Sequence, residues 1–312
     1  RQKTRGWGEK SSLFLQDITR FMEGSRGSIG NFASCVCGSS DIIKGHNSSS
    51  CGYVINSFTN ASMGNSLADV ASGIATHAKV RPAVVDDQFT AEETHKSKSI
   101  GLDFVSTSAP PKAMPPMPPT PTETNLIMRS MITTLFVSDG IPLINAGDEY
   151  GHSRQGRYGD LNPWKNEKDG FRWDAVETGT VGHAIHSFIA ALSAFRKRRA
   201  DLFSSGGANV CWTTIDGHSP PKWNDPHAPH MLMCRRKASS RQDQGVGGEN
   251  VASLPTQDVV TIFNGTRDLQ GADVGQPPAG FAWVRVVDTS LVFPTDCTLD
   301  YVLLAGPRGT YL

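Results

Sequence analysis

The sequence predicts an α/β region over residues 1–203 followed by a small all-β domain over residues 204–312. Three observations carry this expectation. Between Asn125 and Gly151 an apolar helical face, a tight turn, an apolar run and a polar loop follow one another, which is a fragment of α/β architecture. Ile185, Phe188, Ile189, Leu192 and Phe195 then form one stripe at helical spacing, the clearest helix of the chain. Beyond Phe203 the pattern changes to short β-like runs separated by turns.

Taken in order, the first predicted helix follows Ser11-Ser12 and runs through Leu13, Phe14, Ile18, Phe21 and Met22, with Gly24 at the C-cap position. Residues 25–52 are rich in Gly, Ser and Cys and read as loop. Tyr53-Val54-Ile55-Asn56-Ser57-Phe58 reads as a buried strand. From about Gly73 to Thr124 periodicity is lost, and the Pro-rich loop of about 100–124 contains a stretch from Ala109 to Pro119 that excludes helix and central strand. Ile127, Met131, Leu135 and Phe136 share a helical face. Asp139-Gly140 is a turn, Ile141 to Ala146 a buried strand, and Gly147-Asp148-Glu149-Tyr150-Gly151 the polar loop at its end. Arg196-Lys197-Arg198-Arg199 lies in the last turns of the long helix and reads as a solvated end favoured by the helix dipole. The predicted strands of the β domain are Met231–Cys234, Val259–Phe263, Trp283–Val287 and Tyr301–Leu304, with Trp223 and Trp283 as its core aromatics and residues 239–248 as a mobile insertion.

Composition excludes several functions. Lys+Arg 30 balances Asp+Glu 30, so no basic field exists to hold nucleic acid, whereas a neutral polysaccharide is compatible. The apolar runs are much shorter than the ~20 residues of a membrane span, so no membrane partner is expected. The six cysteines form no CxxC pair and stand at no zinc-ligand spacing, so free thiols are expected. His183 and His186 are three apart on a helix and His152 lies nearby in sequence, but no third ligand is evident, so neither metal nor cofactor is expected. The opening Arg1-Gln2-Lys3-Thr4-Arg5 is not a signal peptide, and the absence of an initial Met suggests a start from which targeting cannot be read.

Several segments together resemble isoamylases, the debranching branch of the α-amylase superfamily. Trp7-Gly8-Glu9 with Gln16 to Gly24 is similar to the family's helix after the fifth barrel strand. Phe32 to Asp41 resembles its Gly-Ser-x-Asp loop, Ile55-Asn56-Ser57-Phe58 its seventh strand, and Ser66 to Val70 the turn after that strand. Val137 to Leu143 and Ala146 to Gly151 resemble the eighth strand and its end, and the helix ending at Arg199 the last barrel helix. Trp223-Asn224-Asp225-Pro226 and Trp283 to Asp288 are similar to parts of the C-terminal β domain. The resemblance implies the C-terminal part of a (β/α)8 TIM barrel followed by a small β-sandwich.

The resemblance also implies a retaining mechanism with two carboxylates, nucleophile and acid, on earlier strands that this chain does not contain. A third carboxylate beside a His belongs at the end of the seventh strand. That position reads Ser62-Met63-Gly64, and no His, Asp or Glu occurs between Cys51 and Ala68. Met63 carries no charge to bind ring hydroxyls or steady a transition state. This departure is similar to the plant and algal isoamylase-2 subgroup, whose members act as non-catalytic subunits beside an active isoamylase.

The expectation is therefore a non-catalytic, plastid-located subunit that binds α-glucan and assembles with a catalytic isoamylase. Two alternatives stand beside it: a fragment of an active isoamylase cutting α-1,6 branch points, and a carbohydrate-binding or interaction module working through the β domain. Asp148 and Glu149 are candidate glucan contacts, with a structural role for the pair as the alternative. Tyr158, Trp164 and Trp173 are candidate aromatic platforms for sugar rings, with ordinary burial as the alternative.

Overall fold

The computed structural model describes residues 8–11, 13–38, 53–58, 66–80, 121–153, 170, 172–203, 210–237, 258–277, 280–303 and 310–311. Three strands, β1 (Gly8–Lys10), β2 (Tyr53–Ser57) and β3 (Ile141–Leu143), form a parallel sheet in that order. Glu9 pairs with Val54, and Asn56 with Pro142. β1 falls in a stretch whose resemblance pointed to the following helix. Three residues are too few to show a period of two, so its pairing with β2 is what reveals it.

Helix α1 (Phe14–Met22) buries Phe14, Ile18 and Phe21, spaced i, i+4, i+7 along one face. Ser11 Oγ accepts from Phe14 N–H and so satisfies a free amide of the first turn. Leu13, where the predicted helix begins, is the residue before its first turn and is exposed. Residues 29–36 are not loop: Ile29–Val36 is helix α2, and Ile29, Phe32, Ala33 and Val36 are its buried face. The helical spacing was present in the sequence, but Gly30, Ser34 and Cys35 lower helix propensity and masked it. Phe21 of α1 stacks on Phe32 of α2 with ring centroids 3.8 Å apart.

Order also extends into the region where periodicity seemed lost. Helix α3 spans Leu67–Val80 and inserts Leu67, Ala71 and Ile74 into the core. Helix α4 (Pro121–Val137) starts four residues before Asn125, with Pro121 at the position where its missing N–H costs nothing. The core of the Pro-rich stretch lies outside the described residues. Helix α5 (Val181–Arg198) buries Ile185, Phe188, Ile189 and Leu192, as its stripe implies.

Strand β3 is not buried. Ile141 and Leu143 are 46% and 42% exposed, because β3 is an edge of the described sheet. The turn before it is tightly built. Gly140 has φ +102°, and a Cβ there would stand 2.6 Å from the Val54 carbonyl oxygen. Arg196 corrects the expectation of a solvated helix end. Its guanidinium donates to the carbonyls of Phe136, Ser138 and Gly140, lies 4.7 Å over the Phe203 ring, and is pushed by burial down to about 10.

Beyond Phe203 the strands are short. β4 (Val210–Thr213), β5 (Met231–Arg236) and β6 (Val259–Asn264) form an antiparallel sheet. β7 (Ala272–Asp273) pairs with β10 (Thr310–Tyr311), and β8 (Val284–Val287) with β9 (Cys297–Leu303). Trp283 is half-buried and donates from Nε1 to the Gly275 carbonyl. Trp223 is 37% exposed and meets Trp212 edge-on, so it is a rim residue rather than a core one.

The two halves share one apolar core, in which Phe32 of α2 meets Phe263 of β6 edge-to-face at 5.0 Å. Two buried ion pairs cross the same boundary. Arg236 of β5 donates to Asp139 at 2.7 Å, and Arg129 of α4 donates to Asp296 and to the Leu291 carbonyl. Among the described residues, no helix is long and apolar enough to cross a membrane.

Candidate functional site

In parallel α/β sheets, ligands meet the loops at the carboxyl ends of the strands. Here those ends are Lys10, Ser57 and Leu143, and the loop after β3 lies within the described residues as far as Ser153. It turns on Gly147 (φ +103°), where a Cβ would stand 2.9 Å from His152 Cβ, so only glycine lets the chain fold back on itself.

Asp148 is 4% exposed, and both of its carboxylate oxygens are engaged within the protein. Oδ1 accepts from the Leu67 N–H at 2.8 Å, and Oδ2 from Asn145 Nδ2 at 3.3 Å. Leu67 opens α3, so Asp148 caps that helix from another part of the chain. Burial raises its carboxyl above the ordinary aspartate range, against the lowering effect of those hydrogen bonds. Ser66 and Asp69 share a local cap, and Ser153 Oγ donates to Asp69 Oδ1 at 2.6 Å. The loop after β3 is thus fastened at two points to the first turn of α3. Glu149 is half-buried, and its Oε2 accepts from Gly147 N–H at 2.7 Å.

Trp173 stands in a 3-10 turn, Trp173–Val176, and is 74% exposed. The turn is joined to the β3 loop through Tyr150, whose buried phenol oxygen accepts from the Arg172 N–H at 3.2 Å and lies 3.3 Å from His152 Nδ1. The structure therefore brings Asp148, Glu149 and the Trp173 turn into one connected unit. Tyr158, Trp164, Ser62 and Met63 lie outside the described residues. The sequence reading missed Tyr150, Asn145 and Ser153, which hold this unit together. Ser153 with Asp69 and Tyr150 with Arg172 join positions far apart in sequence, which no periodicity announces, while Asn145 bonds Asp148 only three residues on.

Other candidates are placed elsewhere. The His183 ring meets Phe293 edge-on at 5.7 Å. Among the described residues, no three His, Cys, Asp or Glu side chains gather in a way that would hold a metal. A cavity of about 1260 Å³ lies between α4, α5, β6 and β8, lined by Phe195, Met231, Ile262 and Trp283, and none of the expected site residues borders it.

No family model matches the chain. Isoamylase 2 (chloroplastic) of Arabidopsis thaliana is 24% identical over 294 residues, covering 92% of this chain and 29% of that protein. Isoamylase 2 (chloroplastic) of Oryza sativa subsp. japonica is 32% identical over 173 residues, covering 54% of this chain and 20% of that protein. The crystal structure of pullulanase type I from Bacillus subtilis, solved with maltose, superposes with a TM-score of 0.56 at 14% identity, over 99% of this chain and 34% of that one. At that identity the likeness speaks for the fold alone.

The chain is thus similar to isoamylases over much of its length, and it spans less than a third of the length of these two curated relatives. Isoamylase 2 is among the proteins it resembles, and the partial coverage fits a correspondence with their C-terminal part.

Proposed function

We propose that the protein is a non-catalytic isoamylase-like subunit of starch debranching, which binds α-glucan and supports an active isoamylase in a plastid. The observation that carries this reading is Ser62-Met63-Gly64 at the position of the family's His-Asp pair, with no His, Asp or Glu between Cys51 and Ala68. A methionine offers no charge to a sugar hydroxyl, and loss of one preorganised polar group costs about 10²–10³ in rate. Relatives named chloroplastic support the plastid part of the reading.

In this reading the parallel sheet β1–β2–β3 and its helices are the closing part of a (β/α)8 barrel over residues 1–203, and residues 204–312 are a β-sandwich. The parallel pairing and the likeness to a pullulanase support it. Asp148 holds the loop, while Glu149 and Trp173, with Tyr158 and Trp164, supply the glucan contacts.

The test is full-length recombinant protein incubated with amylopectin, alone and with an active isoamylase. The expected result is no release of linear chains by the protein alone, retention on an amylopectin gel, and co-purification with the active enzyme. Release of linear chains without a partner would overturn the proposal.

A further inference from the structure

The cavity between α4, α5, β6 and β8 is set apart by what its polar groups already do. Its volume of about 1260 Å³ is large beside the roughly 300–1,000 Å³ of ordinary small-molecule pockets. Val260 and Ile262 of β6 and Val284 and Val286 of β8 line it and are only half-buried. The inward faces of packed sheets normally interdigitate, so these side chains leave apolar surface for a ligand to cover.

The hydroxyls along the α4 wall are spent. Thr133 and Thr134 donate to the carbonyls of Arg129 and Ser130 one turn back, and Ser130 Oγ donates to Thr289 Oγ1 at 3.2 Å. The Asn264 amide donates to the Asp268 carbonyl and accepts from the Thr266 N–H. A sugar in this cavity would meet few of the partners its hydroxyls require.

The charges are less evenly matched. Arg235 donates to Asp258 at 2.9 Å and lies 5.5 Å from the Trp283 ring centroid. Arg285 faces Asp288 at 3.6 Å, and Arg199 donates to Asp201 at 3.2 Å. Arg198, at the end of α5, lines the same cavity and has no carboxylate partner among the described residues. It is exposed as well, which puts it at the mouth. One uncompensated guanidinium beside an apolar interior matches a ligand with one anionic head and an apolar body. A polyanion would need several free cations, and a neutral lipid would leave Arg198 unused.

We propose that this cavity binds a free long-chain carboxylate, with its head paired to Arg198 and its hydrocarbon tail between β6 and β8. The planar guanidinium fits the two carboxylate oxygens, and each buried methylene adds affinity. This site is separate from the glucan-binding reading, because none of the residues assigned to glucan lines the cavity.

The experiment is calorimetric titration of the full-length protein with decanoate and laurate below their micelle concentrations, with 1-decanol as the uncharged control. Saturable binding is expected, with laurate roughly tenfold tighter than decanoate for its two extra methylenes. Decanol should bind about tenfold more weakly than decanoate, and Arg198→Gln should bring decanoate down to the affinity of decanol. Arg198→Lys keeps the charge and should retain part of the affinity, which separates loss of the charge from loss of the fold. No saturable binding, equal affinities for decanoate and decanol, or unchanged decanoate affinity in Arg198→Gln would each overturn the proposal. So would laurate binding no tighter than decanoate, because the tail would then remain in water.

Discussion

Replacing Arg236 by methionine is the sharpest test of how the two halves are held together. Arg236 is 1% exposed and lies on β5, while Asp139 lies in the turn before β3. Its guanidinium donates to Asp139 Oδ1 at 2.7 Å, to the Val36 carbonyl at 3.2 Å and to the Leu202 carbonyl at 3.3 Å. It also lies 5.4 Å from the Phe203 ring centroid. Methionine fills much of the same volume and keeps the contact with Phe203, but it leaves the Asp139 carboxylate buried opposite an apolar group. Breaking a buried pair from one side costs about 3–5 kcal/mol, a large part of the roughly 5–15 kcal/mol that holds a domain folded. The assay is equilibrium denaturation of the wild type, Arg236→Met, Asp139→Asn and the double variant. Because the single change removes a guanidinium from a buried carboxylate, the double variant should recover part of the loss, with a coupling of about 1.5–3 kcal/mol. A loss below about 1 kcal/mol in Arg236→Met, or strictly additive losses, would refute the argument that this pair fastens β5 to the β3 turn.

Asp148→Asn keeps an oxygen for the Leu67 N–H and should stay within about 1 kcal/mol of wild type, whereas Asp148→Ala loses the cap and should cost about 1–2 kcal/mol. Because the folded-state pKa of Asp148 is raised, its contribution is fully present below the ordinary value of 3.8 and is lost as pH rises through the raised value. Asp148→Asn should flatten that segment of the stability profile, and equal losses in the two variants would contradict a capping role. Gly140→Ala, with φ +102° and a Cβ 2.6 Å from the Val54 carbonyl, should cost roughly 2 kcal/mol or more; an unchanged melting midpoint would show that β2 and the turn do not approach so closely. Burial pushes the thiols of Cys234 and Cys297 up to about 12 and about 11, while Cys211 is exposed. Alkylation of the native protein at pH 8, mapped by mass spectrometry, should label Cys211 and spare the other two until denaturant is added.

By itself the sequence determined what depends on neighbours along the chain. The stripes of α1 and α5 were legible because one helical face repeats every three to four residues, and β5, β6 and β8 because short β-branched and aromatic runs stand between turns. The resemblance to isoamylases was likewise drawn from the sequence, as was the reading of Ser62-Met63 on which the proposed function rests. The tertiary structure alone decided what depends on distant partners. It made Ile29–Val36 a helix despite its glycine and serine, because Phe32 finds Phe21 and Phe263. It left β3 exposed at the edge of the described sheet although its residues are apolar. It turned Arg196 from a solvated helix end into a tie among three carbonyls, and gave Asp148 to the amide of Leu67. Each of these is a hydrogen bond or a ring contact across many residues of sequence. Local pattern carries no record of such pairs, because burial, not spacing, selects which polar group must find which partner.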